Sequence, residues 1–378
     1  MSERVVTTPV RVLFDLFELS PSSGKSIGIY VYAVGLLKAL KGRLPSGVEL
    51  VVACHGDNWS DLQEAADAQI QLVRLQDQHP SLMQRQWWWR FGAQWAAGKH
   101  GCRAYFSPKG FMPGWCGPSW GVTTCVVVHD LIPLWYAQHH PHQFGRIERE
   151  LVNRGLLRSC RYADHVIAIS QATADDIQTR VGRRGPMTVI HNGLDEPAKP
   201  NGACPPAPYI LAMCTALPHK NAAALLEGYR QYRLRTDRPL PMVVVGLAGA
   251  APEGVTFLKG IAREQLAALY ANAEVFVFLS LIEGFGYPPL EAMQHGTISI
   301  CSDIPVLRET TQGHGLYVPP SQPAALADTL MNCLSESFEE TKRRMERDAP
   351  AVSARYRWAD TADQVASVFR KWLGVQWG

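Results

Sequence analysis

Seven residues separate Glu283 from Glu291, and the run between them is Gly-Phe-Gly-Tyr-Pro-Pro-Leu. Two carboxylates flanking a glycine-bearing loop suit hydroxyl recognition on either side of an anion, as a nucleotide sugar would require. A capping glutamate beside a surface glutamate would have the same spacing, so the pair alone leaves both readings open. A second feature, cationic, is Lys220, which follows His219 and just precedes a helical run at Ala222–Arg233. An ammonium there adds to the charge of a helix N-terminus and suits a diphosphate. The third feature is His129-Asp130, set directly after the apolar run Val122 to Val128.

Those residues need elements to hold them. Val275 to Leu279 reads as a buried parallel strand, Ser280 to Tyr287 as a loop, and a helix opens at Pro288, where a missing N–H breaks no bond. Glu291 then falls in the first helical turn. His129 sits at the carboxyl edge of a strand, where open α/β sheets bind their ligands. Upstream, Val10 to Phe17 is a strand, the Ser-Gly-rich run after it a loop, and Ile29 to Leu40 a helix. The strands at Tyr209 to Thr215 and Pro241 to Val245 open a second unit of the same kind. Residues 196–208 hold five prolines and mark a linker. The expectation is an α/β chain of two doubly wound, Rossmann-like domains, residues 1–197 and 198–378.

The run from Glu283 to Glu291, with Ser302-Asp-Ile-Pro-Val-Leu-Arg-Glu309 after it, resembles the E-x7-E signature of family 4 retaining glycosyltransferases of GT-B fold. The resemblance extends over most of the chain. It covers Ile27-Gly28-Ile-Tyr30, His129-Asp-Leu-Ile-Pro, Asn192-Gly193 and Lys220. It implies that Glu283 binds the donor sugar, that Glu291 binds the ribose hydroxyls, and that His129 lies near the reacting sugar. It further implies a donor site drawn from Gly28, Asn192, Thr215, His219, Lys220, Gly284, Phe285, Gly286, Tyr287, Leu290 and Glu291. Glu283, His129 and Lys220 are its candidate catalytic set. By the same resemblance the first domain presents the acceptor and the second binds the nucleotide sugar across a cleft, and the last helix (about 365–378) packs back on the first domain. Two departures stand out. Ser26 replaces a family glycine, with Gly24 the nearest substitute, and the arginine that accompanies the family's lysine is missing near Thr215 and His219.

Composition narrows the alternatives. The chain has 378 residues, 47% hydrophobic and 19% charged, which predicts a globular protein of more than one domain. A net charge of +3 does not suggest nucleic acid. Nine cysteines without a C-x-x-C pair read as reduced thiols of a cytoplasmic protein. No basic-then-apolar leader opens the sequence, and no apolar run approaches the roughly 18 residues of a membrane span. The G-x-G-x-x-G pattern of a nucleotide-sugar epimerase is absent. No D-x-D occurs, so neither a metal nor another cofactor is expected.

One stretch is unusual. Between Asp77 and Asp130 there is no Asp or Glu, while Arg85, Arg90, Lys99, Arg103 and Lys109 accompany Trp87, Trp88, Trp89, Trp95, Trp115 and Trp120. Tryptophan with cations suits either an anionic membrane surface or a sugar-bearing acceptor, and packing of a helix on the sheet is the alternative. The reading as a whole is a glycosyltransferase, peripheral on the inner face of the plasma membrane. It would move a hexose, mannose from GDP-mannose as the leading choice, to a polyprenyl-linked saccharide in surface-polysaccharide assembly. Another UDP- or GDP-sugar donor, or a non-catalytic sugar-nucleotide scaffold, is the alternative.

Overall fold

The computed structural model describes residues 8–21, 27–114, 121–206 and 208–374. The departures at Gly24 and Ser26, together with Trp115 and Trp120, lie outside them. The chain divides into two compact units, 1–193 with 356–378, and 194–355.

Among its described residues the first unit holds seven strands: β1 (Val10–Asp15), β2 (Val48–His55), β3 (Ile70–Gln76), β4 (Cys102–Ser107), β5 (Thr123–Val128), β6 (His165–Ala168) and β7 (Met187–Val189). They form one sheet in the order β3-β2-β1-β4-β5-β6-β7, every pair parallel. The second unit holds β8 (Ile210–Met213), β9 (Met242–Val245), β10 (Val255–Leu258), β11 (Val275–Phe278), β12 (Ser299–Ser302) and β13 (Leu316–Val318), in the order β10-β9-β8-β11-β12-β13, again all parallel. Helices cover both faces, so the central strands read as continuous apolar runs: Val275, Phe276, Val277 and Phe278 are all buried.

The boundaries depart from expectation in instructive ways. The proline-rich run is not a free tether, because it belongs to the second unit and lies along the helix Arg263–Asn272. Asn201 N–H donates to Glu264 (3.1 Å), Gln265 donates to the Ala203 carbonyl (3.2 Å), and Arg263 to that of Glu196 (2.9 Å). Proline cannot donate to a sheet, yet the carbonyls of such a run still accept. The return to the first unit starts at Tyr356, not near 365. The helix Trp358–Leu373 packs on the helix Ile27–Leu40, with the Trp358 ring against Gly35 and Gly193. An added Cβ would come within 2.5 Å of that ring at Gly35 and 2.3 Å at Gly193.

The acid-free stretch answers its own question by splitting. Its helix Leu82–Trp87 continues as a π-turn, Trp88–Gly92, and then as the helix Ala93–Lys99. Trp88 is in the core with its Nε1 on Asp15 (3.0 Å), and Trp89 reaches Glu18 (3.1 Å). Leu82, Met83, Trp87, Phe91 and Trp95 are instead 70, 82, 48, 60 and 51% exposed. Residues four apart drift by about 40° per step on an α-helix, and the extra residue of a π-turn takes part of that drift back. Met83, Trp87, Phe91 and Trp95 therefore make one outward stripe.

Candidate active site

In the second unit the chain order reverses between β8 and β11, and the loops after these two strands carry the predicted donor residues. After β8 comes the 3₁₀ turn Pro218–Lys220, and then Asn221, whose φ is +61°. Asparagine tolerates this left-handed backbone better than other non-glycine residues. Its side-chain amide donates to the carbonyls of Leu279 (3.1 Å) and Pro320 (2.7 Å), so three loops are pinned by one residue. Leu281 N–H donates to the His219 carbonyl (2.7 Å), which fixes the turn against the loop after β11.

Lys220 and Glu283 form an ion pair in that corner, their side chains only partly exposed. Lys220 Nζ also lies 5.3 Å from the centroid of the Phe278 ring. His219 is buried, and burial, aided by Lys220, pulls its imidazole down to about 4. It is therefore neutral at pH 7, and the neutral imidazole replaces no part of the missing arginine's charge. Thr215 Oγ1 and Ser280 Oγ are buried nearby with no hydrogen-bond partner among the described residues.

The helix opens at Tyr287, one residue before Pro288, with Gly286 as its cap at φ +87°. A Cβ on Gly286 would meet Leu307 at 2.4 Å, so both the turn and the packing demand glycine. Glu291 is consequently the fifth helical residue and not in the first turn. Its carboxylate accepts from the Tyr270 hydroxyl (3.1 Å), and burial raises its pKa against that bond and the charge of Arg263. Phe285 and Leu290 are buried core side chains. Leu290 can thus contribute to a ligand only through its backbone.

Gly28, Asn192 and His129 belong to the first unit. Gly28 is the second residue of the helix Ile27–Leu40, not part of the preceding loop, and a Cβ added there would meet nothing within 4 Å. One turn on, Tyr32 sits edge-on to His129 with ring centroids 4.8 Å apart. His129 Nε2 is 2.7 Å from the Pro108 carbonyl. A carbonyl only accepts, so Nε2 carries the proton and Nδ1 keeps its lone pair. Burial holds this imidazole at about 4, hence neutral at physiological pH. Asn192 is buried, with Oδ1 accepting no bond from the described residues. Tyr30 of the Ile-Gly-Ile-Tyr element is structural, its hydroxyl donating to Asp61 (2.6 Å).

Sequence reasoning missed Asn221, Tyr32 and Tyr270. An asparagine directly before a helix was a visible signal for the first; nothing local announces the other two. Among the described residues, no group of three or more His, Cys, Asp or Glu is placed to hold a metal ion. No helix among them is long and apolar enough to cross a membrane.

Two family models match the chain. That described as Glycosyltransferase Family 4 matches residues 28–196, and that described as Glycosyl transferases group 1 matches 198–352. Among similar proteins is the O-antigen chain mannosyltransferase RfbU of Salmonella typhimurium, 29% identical over 223 residues, 55% of this chain and 60% of the relative. The serotype-specific mannosyltransferase WbdA of Escherichia coli is 27% identical over 279 residues, 66% of this chain and 34% of the relative. The matched regions thus span less than two thirds of either relative. In fold, the chain resembles the sucrose-phosphate synthase of Thermosynechococcus elongatus. That likeness has a TM-score of 0.70 at 18% identity and covers 97% of this chain and all of that one. It speaks for the GT-B fold alone.

Proposed function

Since the chain belongs to the family 4 glycosyltransferases, we propose that it transfers a hexose, with retention of configuration, from a nucleotide sugar to a saccharide acceptor. The observation that carries this reading is the Lys220–Glu283 pair at the strand-order reversal of the second unit, beside the glycine-capped helix that bears Glu291. Lys220 and the backbone N–H groups from Gly284 to Gly286 offset the charge of the departing diphosphate. Glu283 accepts from hydroxyls of the transferred sugar, and Glu291, steadied by Tyr270, accepts from the ribose. Neutral His129 accepts a hydrogen bond from a sugar hydroxyl at Nδ1. In the transfer the bond from the anomeric carbon to the phosphate oxygen breaks as the bond to the acceptor oxygen forms on the same face. The acceptor's proton passes to the leaving phosphate, and no metal takes part.

Mannose from GDP-mannose is the donor we favour; the names of the relatives support the mannose. A polyprenyl-linked acceptor in surface-polysaccharide assembly, met at the cytoplasmic face of an anionic membrane, fits the outward stripe of Trp87, Phe91 and Trp95 beside Arg85, Arg90 and Lys99. A thermal-shift panel of GDP, UDP, ADP and their sugars tests the donor. A ligand at a hundredfold its Kd stabilises by about 2.7 kcal/mol. GDP and GDP-mannose are expected to give the largest shift, and a larger one from UDP would replace the donor. Slow hydrolysis of the donor by the purified protein separates an enzyme from a scaffold. Activity is expected to survive excess chelator; loss that Mg²⁺ or Mn²⁺ restores would reject the metal-free step.

A further inference from the structure

The first sheet also reverses its strand order, between β1 and β4, and parallel sheets open a crevice at such a reversal. The reversal in the second unit holds a lysine, a glutamate and an aromatic ring. The same three kinds of group occupy the first, and the proposed mechanism uses none of them. Glu18 follows β1, Lys109 follows β4, and the two form an ion pair with side chains 6% and 12% exposed. Lys109 Nζ lies 5.2 Å from the Trp89 ring centroid and 5.8 Å from that of Phe111, and these two rings stack at 5.4 Å. Trp89 Nε1 donates to Glu18 Oε2 at 3.1 Å.

Beneath this group Asp15 is fully engaged, accepting from Phe17 N–H (3.0 Å), Trp88 Nε1 (3.0 Å) and the Tyr105 hydroxyl. Glu18 is not. Its Oε1 is buried and accepts no hydrogen bond from the described residues. A buried charged acceptor without a donor costs more than the roughly 1–3 kcal/mol of a neutral one, so its retention calls for an explanation.

The chemistry of the group selects the ligand. A carboxylate with a spare lone pair accepts from hydroxyls, an ammonium donates to hydroxyl oxygens, and stacked partly exposed rings cover the C–H face of a sugar. A phosphate would meet two carboxylates against one ammonium and be repelled. We infer that Glu18, Lys109, Trp89 and Phe111 form a monosaccharide subsite of the first unit, which holds the acceptor by a pair of hydroxyls. Lys109, the more exposed partner, gives way as a hydroxyl reaches Oε1. This inference rests on the glycosyl-transfer reading.

The test uses the full chain and five methyl glycosides: α-mannoside, α-rhamnoside, α-galactoside, α-glucoside and α-N-acetylglucosaminide. Binding is read by saturation-transfer NMR and tryptophan fluorescence, beside the nucleotide thermal shift. At least one glycoside is expected to bind. Glu18→Gln, nearly isosteric, should weaken it about tenfold or more, the loss of one hydrogen bond to a charged group. Trp89→Leu should also abolish its fluorescence response. Both variants should keep the nucleotide shift, which reports on the second unit. Wild type that binds none of the glycosides, or variants that bind as tightly as wild type, would overturn the subsite. Wild type that binds a glycoside but no nucleotide or nucleotide sugar would leave the subsite standing and remove the transferase reading.

Discussion

Lys220 and Glu283 are neighbours although they stand 63 positions apart in sequence. Their separate candidacies were legible, the lysine from the helix that follows it and the glutamate from its glycine loop. Their pairing was not, because local pattern carries no information about contacts across two strands. The pair gives Glu283 and Glu291 different duties. If Glu283 clamps the sugar as charge develops, Glu283→Gln should lower kcat about ten- to a thousandfold, whereas Glu291→Gln should chiefly raise the donor KM. Equal KM effects with unchanged kcat from both would remove the distinction. The two buried histidines make a separate prediction about stability. His129 and His219 are held at about 4 in the folded chain and take a proton near 6.5 once unfolded. Between those values the unfolded state binds more protons, so stability is lost as pH falls from 6.5 towards 4. Differential scanning fluorimetry across that range should show a shallower fall for His129→Asn than for wild type.

At the scale of elements, the strand–loop–helix around Glu283 could be read from Val-Phe-Val-Phe, the glycines and Pro288, since each of these residues narrows the backbone's choices. What escaped is set by tertiary contact. The three adjacent tryptophans have no local feature that decides which faces Asp15, which faces Glu18 and which faces outward, and the π-turn that sorts them has no composition of its own. That sorting is testable. Co-sedimentation with phosphatidylglycerol vesicles should fall for Trp87→Ser/Phe91→Ser/Trp95→Ser, while phosphatidylcholine should bind wild type weakly, since basic residues contribute about 1 kcal/mol each at an anionic surface. A triple variant that sediments like wild type would deny the stripe a membrane role. Asn221 offers a second test. Asn221→Ala loses two hydrogen bonds and strains a left-handed backbone, for roughly 2–4 kcal/mol by urea unfolding. Asn221→Gly relieves the strain alone and should recover part of that loss.

At the scale of the whole molecule, two doubly wound units could be read from the repeated strand and helix pattern, but the proline run misplaced the division. Prolines mark where a sheet cannot continue; they do not mark where packing stops, and these still pack on the helix Arg263–Asn272 through their neighbours' carbonyls and amides. The returning segment matters more. Phe369 packs edge-on against Phe106, Trp372 donates to Thr123 (2.8 Å), and Trp358 fills the space beside Gly35 and Gly193. A chain ending at Arg355 should therefore lose the melting transition of the first unit while the second keeps its nucleotide shift. Retention of both transitions would show the returning helix to be dispensable. This arrangement also has a consequence for birth order on the ribosome. The first unit is broken off at Gly193 and completed from Tyr356, so the 162 residues of 194–355 are made in between. At the usual pace of synthesis, about 5–20 residues per second, that is a wait of roughly 8–32 seconds. Throughout it, the apolar side of the helix Ile27–Leu40 has been made and its cover has not. The second unit can finish folding first, and the half begun earliest is the one a nascent-chain chaperone would have to shield.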